Sequence, residues 1–322
     1  MSDPTAHAWK IFSQINQAVP NDPDGRVVWE TWMLGRKVFE NPNQKPVWKP
    51  SAPGVRNQDT LEAMPLQLLL RQQQIEKGNT GPVAVPSFDP QAGEGNETRM
   101  NEATFRFIAD NDLYFAEGIE AFAKAGKKFD FPLEAMEVKA QWRRLRPPAE
   151  AARYHTAKVK LPNGQEEIWG LTSMHLTTKE EPNWFWATFE HKDNPDRESV
   201  NKDVQPQKQP ENFRGTKWEN YVLRGAQVDF TDSMGRPTIL SSSQIERPFQ
   251  TSSCISCHAL ATVNWREPGP SRINSLRFFD DQNKAYVGAP KTALFQIDSS
   301  GTPAYQQMDF VWSLVRAQRR GH

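Results

Sequence analysis

Trp9, Phe12, Ile15 and Val19 recur at three- and four-residue intervals, which predicts a short amphipathic helix over residues 1–20, stopped by Asn21-Asp22-Pro23. A proline-rich passage over residues 41–53 then breaks any regular period. Residues 61–77 read as a second helix, interrupted near Pro65 and ended by Gly78-Asn79-Thr80-Gly81-Pro82. A polar loop over residues 87–98 leads into the clearest helical stripe, Phe105, Ile108, Leu113, Ile119 and Phe122, with Gly126 as its C-cap.

Beyond Pro132 the pattern changes. Residues 151–161 alternate, Pro162-Asn163-Gly164 is a turn signal, and residues 167–177 resume as a strand, so the three together predict a hairpin. Residues 184–189 (WFWATF) form a third strand, dense in side chains that suit a pleated surface. Residues 193–215 are polar and without pattern, and two further strands, 221–230 and 237–245, flank the turn Ser233-Met234-Gly235-Arg236. There is no internal repeat. The fold class is α+β, with a helical and loop-rich N-terminal region over residues 1–130 and a β-rich region over 131–322, together one compact unit.

Bulk properties narrow the functions. With 39 basic and 39 acidic residues the net charge is zero, which argues against a nucleic-acid partner. No run of eighteen apolar residues is present, so no membrane span is expected. Eleven Trp and eighteen Phe supply rigid surfaces for packing around something flat, although core is the simpler role for any single one.

The chemistry lies at Cys254-Ile255-Ser256-Cys257-His258, which holds the only two cysteines of the chain. The C-x-x-C-H spacing predicts one covalently attached haem c. On a helical turn, residues i and i+3 share a face, so both sulfurs reach the vinyl groups of one porphyrin edge, while His258 becomes the proximal iron ligand. Its second ring nitrogen should donate to a nearby carbonyl. Rival readings fit less well. A thioredoxin-like dithiol wants a βαβ setting, a structural zinc site needs four ligands, and a plain disulfide leaves His258 unexplained. Thioether attachment takes place outside the bacterial cytoplasmic membrane, so the expected location is the periplasm. The start MSDPTAHAWK lacks the features of a signal peptide, which on this reading implies a removed leader and an added Met1.

The opposite face of the iron decides the role. His175 or His191 is the candidate distal ligand, with Met234 and Met308 as sulfur alternatives, His155 a weaker one, and His7 and His322 too near the termini. Trp184-Phe185-Trp186 is a candidate pocket wall. Arg143, Arg144 and Arg146, read as the end of a helix, are candidates for pairing with haem propionates.

The segments FPLEAMEVKAQWRRL, GLTSMHLTTK, PNWFWATFEHKDN, YVLRGAQVDF, GRPTILSSSQIE and SSCISCHA resemble a group of bacterial monohaem cytochrome c family proteins, over roughly residues 100–260. The resemblance implies haem attachment at Cys254, Cys257 and His258 and motif histidines at His175 and His191. It brings little mechanism. In small cytochromes c the motif lies near the start, whereas here it comes late. Two functions follow. One is a periplasmic electron-transfer cytochrome with a redox partner protein. The other is a haem enzyme of peroxidase or oxygenase type, with an open or exchangeable distal site and a small-molecule substrate. Length favours the enzyme, since a haem-binding fold needs only about a hundred residues; the motif alone favours the carrier, and a gas or redox sensor is the third reading.

Overall fold

The architecture is set by one long strand, Glu166–Thr178, buried on both faces over most of its length. The structure, a computed structural model, describes residues 1–54, 56–57, 61, 93–146, 148–194, 209–246, 250–278 and 285–321. Numbered in chain order, the strands of the main sheet are β1 (Met33–Leu34), β2 (Arg56–Asn57), β3 (Glu94–Met100), β4 (Met136–Arg144), β5 (Thr156–Lys160), β6 (Glu166–Thr178), β7 (Phe185–His191) and β8 (Tyr221–Gln227). On one edge β6 pairs with β4 along nearly its whole length. On the other edge its first half pairs with β5 and its second half with β7, so the sheet branches there. All pairings are antiparallel except β2 with β5. The sheet thus draws strands from both sequence regions.

Strand alternation sends successive side chains to opposite faces. One face carries Val138, Ala140, Met174, Leu176, Ala187 and Phe189, and the helix α1 (Pro4–Ile15) packs Trp9 and Phe12 against it. Asp3 caps that helix, accepting from the Ala6 N–H at 2.9 Å, and Pro4 opens it. Trp169 and Leu171 would fall on the wrong face by simple alternation. The register jumps from Ser173 to Leu171 opposite Gln141 and Trp142, and this bulge at Thr172 returns them to the apolar side.

The second face is polar although buried. By register, Thr98, Lys139, His175, Thr188 and Gly225 form one row across β3, β4, β6, β7 and β8. Met100, Glu137, Thr177, Trp186 and Gln227 form the next row. The layer over this face comprises the helices α2 (Glu102–Asp110) and α3 (Ala116–Lys124), the short helix α4 (Cys254–His258) and the C-terminal residues 308–317. A two-stranded ribbon of β9 (Thr262–Val263) and β10 (Gln306–Gln307) ties α4 to that tail.

Several sequence expectations change. The long helical stripe is two helices separated at residues 111–115, where Asp112 takes a left-handed φ of 56°; Leu113 is buried all the same. The polar stretch before it becomes strand β3 from Glu94, because Glu97 and Arg99 bury their charges by pairing with each other at 2.8 Å. Residues Gln141 to Arg144 end a strand, not a helix. Residues 237–245 make turns: Leu240 bridges Ser253, and the Ser242 hydroxyl accepts from the N–H groups of Gln244 and Ile245 at 3.1 and 3.2 Å. The expected helix over 61–77 lies outside the described residues beyond Leu61.

In α3, a Cβ on Gly118 would overlap the Asp112 carbonyl oxygen and crowd the Phe115 ring. Gly118→Ala should therefore destabilise the protein by about 3 kcal/mol, the upper end of overpacking penalties, in spite of alanine's better helix propensity. Urea unfolding measures this, and an unchanged midpoint would contradict it.

Candidate functional site

A mostly apolar cavity of about 100 Å³ opens between the polar face of the sheet and the layer above it. Cys254, Cys257 and His258 line it from one side, and His175, Trp186 and Lys139 from the sheet. The short helix α4 is fixed from several directions. The Cys254 N–H donates to the Leu240 carbonyl at 3.1 Å, the Ile255 N–H to Gln227 Oε1 at 3.3 Å, and Trp312 Nε1–H to the Cys257 carbonyl at 3.0 Å.

The His258 ring has one nitrogen committed. Nδ1–H donates to the Phe310 carbonyl at 2.7 Å, and the ring packs on Trp186 with centroids 4.4 Å apart. Burial pushes its pKa down to about 3 against the opposing pull of that carbonyl, so the imidazole is neutral and Nε2 is the lone-pair nitrogen. Both cysteines are free thiols whose remaining exposure is to the cavity. Burial, reinforced by Glu246, raises Cys257 to about 12 and Cys254 well above the ordinary thiol value. A reactive dithiol needs stabilised thiolate, which is the opposite environment. Neutral thioethers suit it.

His175 stands on the sheet side of the cavity with both nitrogens engaged. Nε2–H donates to the Glu246 carboxylate at 2.9 Å, and the Thr188 hydroxyl lies 2.8 Å from Nδ1. Glu246 is presented by the serine turn: its N–H donates to the Ser242 carbonyl at 3.0 Å, and it accepts from the Ser242 N–H at 2.7 Å. Burial opposes ionisation of Glu246, but His175, Lys139 and the Ser242 N–H together hold its carboxyl below the usual range.

The far end of the cavity is polar. Glu137 Oε1 and Thr177 Oγ1 are buried there without hydrogen-bond partners, beside Ser313 and Arg316. Burial pushes Glu137 up to about 7, against Ser313 and Arg316. Buried polar atoms normally have partners, so this end is shaped for a polar group that the protein alone does not supply. Cys254 lies against Thr188 of β7, and Glu137 and Lys139 belong to β4, two strands away or about 10 Å. Thioethers and propionates lie on opposite edges of haem c. The residues lining the cavity fit it in kind: two sulfurs and a neutral imidazole on α4, and the cations Lys139 and Arg316, which could pair with propionates, in the same wall. Among the described residues, no group of three or more His, Cys, Asp or Glu side chains is placed to hold a bare metal ion. A porphyrin supplies four of its iron's donors, so this site asks only for His258.

The other sequence candidates lie elsewhere. His191 faces away from the cavity, stacked on Tyr154 at 3.6 Å, with Nε2–H donating to the Arg153 carbonyl at 3.1 Å and Nδ1 accepting from the Asp193 N–H at 3.1 Å. His155 is buried on the apolar side of the sheet, between Glu30 at 2.9 Å and Lys217 at 2.8 Å, in a charge network continued by Arg56, Glu97 and Arg99. His7 pairs with Glu180 at 2.7 Å, and His322 is outside the described residues. Met234 is 74% exposed on its turn; Met308 is fully buried beside the motif but does not line the cavity. Arg143 pairs with Glu150 and Tyr154, and Arg144 with Glu167; neither they nor Arg146 reach the cavity. Of the aromatic strand only Trp186 is a wall, since Phe185 points to the opposite face and Trp184 belongs to the adjoining core. Glu246, Thr188, Glu137 and the tail residues Phe310 and Trp312 carried no sequence signal beyond the serine run preceding Glu246.

No protein-family model, curated protein or solved structure matches the chain.

His191 makes a pH prediction. Its side chain is wholly buried, and burial pushes its pKa down to about 4, below the ordinary histidine value. The unfolded chain then binds a proton that the folded one refuses, so this contribution to stability is complete above about pH 6.5. It should decline by about 3 kcal/mol as pH falls to about 4. His191→Gln should start less stable at pH 7 yet show a flatter stability profile over that interval in urea titrations; a profile parallel to the parent protein's would contradict the assignment.

Proposed function

We propose that the protein is a monohaem c-type cytochrome that works in electron transfer in the periplasm. The observation that carries this reading is the convergence of Cys254, Cys257 and His258 on one cavity, with His258 Nδ1 spent on the Phe310 carbonyl and Nε2 left for a metal. The resemblance of residues 100–260 to monohaem cytochrome c family proteins supports the same reading. When bound, the haem supplies one-electron chemistry. The chain's own residues would do the rest: the two cysteines would anchor it, His258 would ligate it, Trp186 would exclude water from the site, and Lys139 with Arg316 would balance propionate charge.

One observation favours a second reading, a haem enzyme with an open distal position. His175 reaches the cavity, but Thr188 and Glu246 engage both its ring nitrogens, which would leave the iron's opposite face without its imidazole.

Expression with a c-type haem attachment system should yield about one haem per chain that survives denaturing electrophoresis. Cys254→Ser or Cys257→Ser should leave a single, weaker attachment, and the double variant none. Absence of covalent haem in the parent protein would sink the proposal. Optical spectra with cyanide and carbon monoxide then separate the readings: slow or absent binding is expected of the carrier, rapid binding of the enzyme. In His175→Ala the resting spectrum should persist, because Glu246 already holds Nε2; its collapse would make His175 the sixth ligand.

A further inference from the structure

The turn that presents the Phe310 carbonyl to His258 is built against the backbone's own preference. Asp309 and Phe310 are consecutive residues with positive φ, 50° and 65°. For a bulky aromatic residue that region is a true outlier, and such a conformation persists only where the surroundings over-determine it. Here they do. Asp309 Oδ1 accepts from Lys179 Nζ at 2.6 Å, and Oδ2 from the Phe131 N–H at 2.8 Å. Lys179 follows directly on β6, its N–H donating to the Ala135 carbonyl at 3.0 Å, and its side chain and that of Asp309 are only 9% and 7% exposed. On either side of the turn, the Met308 N–H donates to the Ala261 carbonyl at 2.8 Å and the Trp312 ring to Cys257 at 3.0 Å. These anchors bracket a single acceptor, the carbonyl that takes the His258 proton.

We infer that Asp309 and Lys179 are positioning residues for the proximal histidine. Their buried pair holds residues 309 and 310 in the left-handed form, which keeps the Phe310 carbonyl on Nδ1. That hydrogen bond makes Nε2 a stronger donor, and a stronger donor favours the ferric over the ferrous state. The redox consequence rests on the haem reading; the positioning itself does not.

Two measurements on Asp309→Asn, Lys179→Gln and Lys179→Arg test it. In the haem-loaded protein, poised where the parent is half reduced, the first two variants should raise the ferrous-to-ferric ratio by about fivefold, as weakening one ordinary hydrogen bond would. Lys179→Arg, which keeps the pair, should restore the parent ratio. In haem-free, ¹⁵N-labelled protein, the His258 Nδ1 proton should exchange with solvent about tenfold faster in the first two variants, as its acceptor loosens. If Asp309→Asn does not fold, Lys179→Gln carries both measurements, because Asp309 keeps its bond to Phe131. A lowered melting temperature with unchanged ratio and unchanged exchange would reduce the pair to a structural role and overturn the inference, with haem attachment unaffected. A parent protein that takes no haem defeats the proposed function instead, and the exchange measurement still decides the positioning.

Discussion

Everything in the site follows from one constraint: the central sheet is buried on both faces, yet only one of them is apolar. A buried apolar face needs only contact, and α1 supplies it with Trp9 and Phe12. A buried polar face needs a partner for each donor and acceptor, since an unpaired one costs about 1–3 kcal/mol. The covering layer meets much of that demand. Ser243 donates to Glu190 through its N–H and hydroxyl at 2.6 and 3.0 Å, Ser242 pairs with Ser173 at 2.8 Å, and Glu246 takes His175. The serine run is therefore less a loop than a set of matched partners. Glu137 and Thr177, which carry oxygens without such partners, line the cavity.

The two sides of the sheet handle charge differently. Near the apolar side, Glu30, Arg56, Glu97, Arg99 and His155 form a closed network in which every carboxylate has a cationic or imidazole partner. Burial alone would neutralise Glu30, yet His155 and Arg56 hold its carboxyl far below the ordinary value. Such a network fixes geometry more than it adds stability, because desolvation offsets much of the attraction. It anchors β2 and β3 to the body of the sheet. On the cavity side charge is sparse and placed at the margins, which leaves the middle apolar.

How much of this was legible beforehand depended on how local each signal was. The C-x-x-C-H motif is five consecutive residues on one short helix, so its spacing alone placed Cys254, Cys257 and His258 together. The hairpin around Pro162-Asn163-Gly164 was legible for the same reason. Strand β4 was not, because Arg143 and Arg144 make its end look like a solvated helix; their partners Glu150 and Glu167 are supplied by other elements. His175 and His191 looked equivalent as neighbours on adjacent strands. Alternation along β7 separates them: His191 shares the face of Ala187 and Phe189, where it stacks on Tyr154, whereas His175 lies beside Thr188 on the opposite face. The roles of Glu246, Phe310 and Trp312 depend on contacts with residues far away along the chain, and no window of sequence contains both ends.

That separation governs how the cavity forms. The wall that bears the cysteines is nearly local: Cys254 meets Leu240 only 14 positions away. The lid over it is not. Phe310 is 52 positions from His258, and Asp309 is 130 from Lys179 and 178 from Phe131. Closing such loops carries an entropic penalty that must be met before the contacts return anything, so distant pairings form late. The sheet has long closures of its own, since Met33 pairs with Met100 and Glu246 with His175, so cavity and sheet depend on the same distant pairings. Without residues 308–317 the two thiols and the imidazole would face an open groove rather than a chamber, so the tail decides how enclosed the motif is.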